Sequence, residues 1–204
     1  REAVYRSRRV VPPVIGTGSN GVCLLGDAYD KADAARQTPF VGAAGFRLER
    51  LVQQLGAKRD DFLLTTACWA KPAKGDEPTR EEIERWRMNW TAVILTNPHP
   101  IKVVVPLGNA SLNAVLGCTG IQQRRGYLFT STTLNCSILP AVHPRFLIQG
   151  NANWTAAWLR DVGMALEVAQ TGLPNPPNRT LTLDPSPRNA KLWGEAWRAA
   201  GCPP

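Results

Sequence analysis

Several things are scarce in this 204-residue chain. It has two histidines and two methionines, and no apolar run approaches the ~20 residues that a membrane-spanning helix needs. The five cysteines (Cys23, Cys68, Cys118, Cys136, Cys202) are odd in number, scattered, and never at Cys-x-x-Cys spacing. Neither a disulfide framework nor a zinc site is signalled. Such usage fits a reducing, intracellular (cytoplasmic) compartment. The Arg-rich N-terminus lacks the apolar core of a signal peptide, so sequons such as Asn153-Trp154-Thr155 read as coincidences. The chain opens on Arg1, which suggests a piece of something longer. Acidic residues are the scarcer charge, 16 against 24 Lys and Arg, for a net +8 and a pI near 9.7. That balance points to a polyanionic partner such as nucleic acid, although solvated surface arginines alone produce it too. With 44% hydrophobic residues the chain is not disordered throughout, and its length suits one core rather than two.

Four apolar runs read as strands, each followed by a helical pattern. Val22-Cys23-Leu24-Leu25 ends at Gly26-Asp27, and Leu48, Leu51, Val52 and Leu55 then recur at helical spacing before Gly56. Phe62-Leu63-Leu64-Thr65-Thr66 precedes a helix opened by Thr79 and Glu82 as a capping box, with Ile83, Trp86, Trp90, Val93 and Ile94 as its stripe. Lys102 to Leu107 precedes a helix capped by Asn109 and ended by Gly117. Ile138-Leu139-Pro140-Ala141-Val142 ends at His143-Pro144, before a helix from about Trp154 to Ala169. Repeated strand–helix units predict a three-layer α/β/α domain around a mostly parallel four-stranded sheet, spanning residues 1–170. Residues 171–204 carry Pro174, Pro176, Pro177, Pro185 and Pro187 and read as a Pro-rich linker or C-terminal extension, with a short amphipathic piece from Leu192 to Ala199.

Parallel sheets bind ligands at the carboxyl ends of their strands. The residues falling there are Asp27, Thr66 to Lys71, Gly108-Asn109 and His143. Asp27 and His143 are titratable and suited to proton or charge chemistry. The bland readings are a turn carboxylate and a structural histidine; their shared position at strand ends favours function. Between the first strand and its helix, Thr38-Pro39-Phe40-Val41-Gly42-Ala43-Ala44-Gly45 sets an aromatic among glycines, able to press a ring against a planar ligand or to plug the core.

Gly26-Asp27-Ala28 followed by Thr38 to Gly45 resembles the first motif of the uracil-DNA glycosylase superfamily, closest to the thermophile-type (family 4) enzymes with their G-E-x-P-G and G-x-P-F-V-G-x-A-G. The likeness continues at Pro106-Leu107-Gly108-Asn109-Ala110, at Arg125-Gly126, at Val142-His143-Pro144 and at Trp158 to Val162, covering roughly Val14 to Leu166. It implies that Asp27 and His143 are catalytic. His143 would stabilise charge on the departing pyrimidine, and Asp27 would orient water or balance the sugar cation. It also implies a base-binding set of Gly26, Ala28, Phe40 and Thr66, with Phe40 stacking on a base swung out of the duplex.

The departures are specific. Asp27 stands for the family's Glu and is one methylene shorter, with Asp30 as a second candidate; Thr66 stands for the Asn that reads uracil's edge. Ala70 and Trp86 fall on cluster-ligating cysteines, and no cysteine lies between Arg1 and Val22 for the other pair. A [4Fe–4S] cluster needs four thiolates, so none is expected, nor any other metal or cofactor. Lys71, Arg124, Arg125 and Arg145 are expected on DNA phosphates together with Arg8, Arg9 and Lys74, and Phe146 and Leu147 as wedges in the stack. No lysine stands at a matched motif position to form a Schiff base, which favours attack by water. Three readings remain open: a monofunctional glycosylase for uracil or a related pyrimidine, a catalytically weakened glycosylase-fold module that only binds DNA, and an enzyme for hypermodified pyrimidines. The partner is DNA, not a membrane, and the chain is a monomer or a module of a larger protein.

Overall fold

Apolar residues on both faces of the central strands decide the architecture. The computed structural model describes residues 14–73, 75 and 77–172. Arg8, Arg9, Lys74 and the Pro-rich segment beyond residue 172 lie outside them. The described residues all fall within the first of two units into which the chain divides, Arg1–Pro174.

In chain order the elements are β1 (Val22–Ala28), α1 (Lys31–Arg36), α2 (Ala43–Gln54), β2 (Leu63–Cys68), α3 (Arg80–Leu95), β3 (Val103–Leu107), α4 (Asn109–Leu116), α5 (Ile121–Arg124), β4 (Phe129–Ser131), β5 (Cys136–Ile138), α6 (Pro144–Ile148) and α7 (Thr155–Thr171). Val22 and Leu24 of β1 point into one core with α2 and α7, whose Leu48, Leu51, Trp158 and Val162 are fully buried. Cys23 and Leu25 point the other way, among Ile83, Trp90 and Ala114 of α3 and α4. Alternation along one strand therefore feeds two cores, and the sheet is covered on both faces in three layers.

The sheet has five strands, not the expected four, in the order β2-β1-β3-β5-β4. The first four are parallel, and β4 adds antiparallel to β5 at the edge. Two three-residue strands are too short to show a period of two in the sequence. The fourth predicted run also shifts: the strand ends at Ile138, and Pro140, on the side of the backbone that faces β4, has no N–H to extend that pairing. Leu139 N–H to Val104 O (3.0 Å) and Ala141 N–H to Pro106 O (3.1 Å) nonetheless keep this segment beside β3 and carry His143 to the strand-end side. At the other edge, Ile15 exchanges two backbone hydrogen bonds with Leu64 of β2, at 3.0 and 2.8 Å.

The capping box on α3 forms as expected. Thr79 Oγ1 accepts from Glu82 N–H (3.2 Å), and Glu82 Oε2 accepts from Thr79 N–H (2.8 Å). Glu82 Oε1 also accepts from Ala73 N–H (2.9 Å), tying the loop after β2 to the helix, and these donors hold its carboxyl below the usual range. Asn109 is not a cap. Gly108 holds that place at φ 114°, and Asn109 is the first residue of α4.

Candidate active site

Parallel register sets Gly26 of β1 beside Thr66 on one side and Leu107 on the other. Asp27 follows, and its Oδ1 accepts the Ser111 N–H in the first turn of α4 at 2.7 Å. A Cβ on Gly108 would collide with the Asp27 carboxylate, so this crossing requires glycine. Burial pushes the Asp27 carboxyl up to about 6; bonds from Ser111 and Ala110 oppose the shift, and the nearby Glu77 charge adds to it.

His143 is the N-cap of α6. Pro144 occupies the first helical position, and His143 Nδ1 accepts the Arg145 N–H at 3.1 Å. An Nδ1 that accepts has no proton, so the neutral ring carries its hydrogen on Nε2. Burial first, and then the Arg145 charge, bring the imidazole down to about 4, with Asp30 pulling the other way. At neutral pH His143 is an uncharged donor of fixed tautomer.

Phe40 takes a left-handed backbone, φ 56°, unusual for an aromatic. Its surroundings impose it. Arg59 Nη2 donates to Phe40 O (2.8 Å), the Asp33 carboxylate accepts the next N–H, of Val41 (2.8 Å), and Gly45 leaves no room for a Cβ against the Phe40 carbonyl. The ring edge lies over Gly26, and the ring stacks on His143 with centroids 6.0 Å apart and planes 19° from parallel. Phe40 is only 3% exposed. One face of the ring thus lies toward the imidazole, and little of the side chain is open to solvent.

Asp27 and His143 line one cleft of about 330 Å³, together with Gly108, Asn109, Glu77, Gln122, Gln123, Arg145, Phe146 and Gln149. Thr66 is not among its walls. It is 1% exposed, and its hydroxyl donates to Cys68 O at 3.0 Å. Gly26 and Ala28 lie within β1, where Ala28 pairs with Cys68. Asp30 caps α1, accepting the Asp33 N–H at 2.8 Å, a task that leaves it outside the cleft. Asn109, expected at a strand end, does reach the cleft, whereas Glu77 in a loop and Gln123 on the four-residue α5 give no pattern in the sequence to find.

Two of the expected DNA contacts are corrected. Arg125 is turned inward: its Nε and Nη2 donate to the two Asp161 carboxylate oxygens, both at 2.7 Å, and Nη2 also reaches Ala157 O at 3.0 Å. With side-chain exposures of 12% and 0%, this is an internal ion pair rather than a phosphate contact. Leu147 is buried in the core, because α6 turns it toward α2; the exposed apolar residue of that turn is Ile148. Phe146 is half-buried, edge-on to Trp154 at 5.7 Å. Arg145 and Lys71 are exposed, and Arg124 is half-exposed at the end of α5.

The loop after β2 holds no thiolate at the cluster positions. Ala70 offers a carbonyl, which accepts from Cys68 Sγ at 3.5 Å, and Trp86 lays its ring against Trp69 with centroids 5.6 Å apart. Among the described residues no group of three or more His, Cys, Asp or Glu is placed to hold a metal ion. These residues do not fit an iron–sulfur cluster.

The fold is an α/β/α sandwich around a mostly parallel sheet, with a half-buried carboxylate and an oriented imidazole on one cleft at the strands' carboxyl ends, the edge where such sheets bind ligands. The sequence profile of the uracil DNA glycosylase superfamily matches residues 13–163, and the chain belongs to that superfamily. It is similar to the type-4 uracil-DNA glycosylase of Pyrobaculum aerophilum, 32% identical over 81 residues, covering 40% of this chain and 41% of the relative. The match therefore spans about two fifths of that relative's length. A longer match, 26% identical over 150 residues, covers 69% of this chain and 68% of the type-4 uracil-DNA glycosylase of Saccharolobus solfataricus. Among solved structures, wild-type SMUG2 of Pedobacter heparinus shares the fold, with a TM-score of 0.50 and 12% identity, over 73% of this chain and 75% of that one. No described helix is long and apolar enough to cross a membrane.

Proposed function

We propose that this chain is a monofunctional DNA glycosylase that swings uracil or a related pyrimidine out of DNA and hydrolyses its N-glycosidic bond. The observation that carries the reading is the pairing, in one cleft, of a carboxylate with a neutral imidazole whose donor is fixed on Nε2. As the bond from C1′ to the base nitrogen lengthens, its electron pair leaves with the base. His143 Nε2–H donates to the base carbonyl where that charge gathers. Asp27, mostly ionised at pH 7, faces the sugar cation and accepts a proton from the water that adds to C1′. The departing base takes up a proton, and a free base and an abasic site remain. Exposed Arg145 and Lys71, with Arg124, supply the charge for phosphates, and Ile148 the apolar tip beside the emptied stack. The described cysteines are unpaired, which suits a reducing, intracellular setting.

A second reading, a module that binds DNA without cutting the base free, draws support from Thr66 and Phe40. One hydroxyl is spent on the backbone and one ring is covered, so two groups that would grip a base are engaged elsewhere. The test is incubation with single- and double-stranded oligonucleotides carrying uracil, hypoxanthine, thymine or 5-hydroxymethyluracil, followed by alkali. Strand breaks at one base name the substrate. Intact strands throughout, with tight binding, give the lead to the binding module.

A further inference from the structure

An exposed tyrosine stands on a firmly tied turn. Residues 125–128 join α5 to β4. Gly126 takes φ 74°, and its N–H donates to Pro140 O at 3.0 Å. Tyr127 N–H donates back to Arg124 O at 3.3 Å. Beneath them lies the Asp161 carboxylate, paired with Arg125 and so close to Gly126 that a Cβ there would collide with it. The Arg125 guanidinium also lies over the Trp154 ring at 5.7 Å, and Trp154 meets Phe146 on the cleft wall. An internal ion pair repays its desolvation only in exacting geometry, so this turn is held in one place. It nevertheless presents apolar surface to solvent: Tyr127 is 64% exposed and Leu128 36%.

A lone exposed apolar residue is ordinary, but the surroundings here are basic. Arg160 is exposed beside Gly126, and Arg124 folds back toward Gly120 on the cleft wall. The carboxylate that touches this turn, Asp161, is wholly buried and paired. At most about 14 Å of backbone separates Gln123, on the cleft wall, from Tyr127. We propose that Tyr127 is a stacking platform for an unpaired base of single-stranded DNA, a short way along the strand from the cleft, with Arg124 and Arg160 on the adjoining phosphates. The inference rests on DNA as the partner of the cleft, and not on whether a base is excised there. In a duplex both faces of a base are covered by its neighbours. In a single strand a face can be bared for a ring, and stacking serves every base because it reads no hydrogen-bonding edge.

The test compares three ligands of equal length: a single strand of thymidines, the same backbone with every base removed, and a duplex. The abasic strand keeps the phosphates and deletes the stack. The parent prefers the base-bearing strand to the abasic one. Tyr127→Ala lowers that preference about tenfold, the usual order for one base on an aromatic ring, while Tyr127→Phe keeps it. Duplex affinity changes less than about twofold in Tyr127→Ala, and the salt slope on the single strand is unaltered. Arg160→Ala leaves the preference intact and reduces that slope by about 0.7. The platform is overturned if Tyr127→Ala keeps the parental preference, or if the parent has none or holds no single strand. It is overturned too if Tyr127→Ala abolishes self-association in light scattering and leaves DNA binding unchanged, since the patch is then a protein contact. Excision of uracil is measured apart from these ligands. A parent that excises without the preference keeps the glycosylase and loses the platform; one that shows the preference, lost in Tyr127→Ala, and excises nothing does the reverse.

Discussion

The carboxylate of Asp27 fills the space that a Cβ on Gly108 would occupy. Gly108→Ala therefore displaces the carboxylate and places an alanine at φ 114°. The expected result is a stability loss of roughly 1–3 kcal/mol from backbone strain, and an excision rate as low as that of Asp27→Asn. Thermal melts and single-turnover rates check both halves. A folded Gly108→Ala protein with the parental rate would remove Asp27 from the chemistry.

His143→Ala is expected to slow single-turnover excision by at least ~10²-fold, the order for losing a positioned donor to developing charge. Duplex affinity stays near the parental value, because phosphate contacts supply most of it. The rate rises with pH to a plateau above the Asp27 value of about 6, while the imidazole, titrating near 4, is already neutral across that limb. Asp27→Asn flattens the limb. A limb that survives Asp27→Asn assigns it to another group.

The same two groups oppose each other in stability. Asp27 holds its proton more tightly in the fold than in the unfolded chain, where its value is about 3.9, so its contribution falls as pH rises from about 4 to about 6. His143 drops from about 6.5 unfolded to about 4 folded, so its contribution grows as pH rises over the same range and on to about 6.5. In the parent the two trends offset. Relative to it, His143→Gln loses stability and Asp27→Asn gains stability as pH rises between 4 and 6. Urea titrations at half-unit steps measure the three slopes, and parallel slopes contradict the shifted titration of both groups.

Arg125→Ala is expected to cost about 3–5 kcal/mol, because it strands the Asp161 carboxylate in the core without its guanidinium. A paired Arg125→Met, Asp161→Leu replacement recovers most of that loss. Arg145→Ala and Arg124→Ala instead leave stability within about 0.5 kcal/mol and each reduce the salt slope of DNA binding by about 1. For a parent neutralising ~6 phosphates that slope is roughly −5 on duplex DNA. A slope unchanged in both variants moves the phosphate track off this face.

What the sequence discloses here depends on how far each signal reaches along the chain. Strands β1, β2 and β3 are buried on both faces and read as continuous apolar runs, and Thr79 with Glu82 marks the start of α3 within four letters. Helix α1 has six residues and no apolar stripe; only Asp30 and Asp33, boxing each other's backbone N–H, announce it. Strands β4 and β5 gain their identity from each other and from β3, which a local window does not contain.

The site divides in the same way. Asp27 and His143 are set by strand direction, which the runs of letters carry, and both reach the cleft. Whether Thr66 faces that cleft, whether Phe40 is bare, and whether Arg125 points outward depend on partners far off in sequence, among them His143 and Asp161. Asn109 shows the cost of a local rule. Asn beside a helix start reads as a cap, yet its oxygen serves a different helix, eleven and twelve residues on.

Ile15 has a reach beyond its two hydrogen bonds. Among the described residues β2 is the outermost parallel strand, and its outer side is the longer row of donors and acceptors from which a second molecule could extend the sheet. Ile15 occupies that row at Leu64, and the opposite border is only the three residues of β4. Among the described residues, one antiparallel residue thus stands between this row and a second copy of the sheet. A domain trimmed past Ile15 loses one apolar side chain from each core and acquires a sticky border, and its tendency to assemble edge to edge rises with concentration.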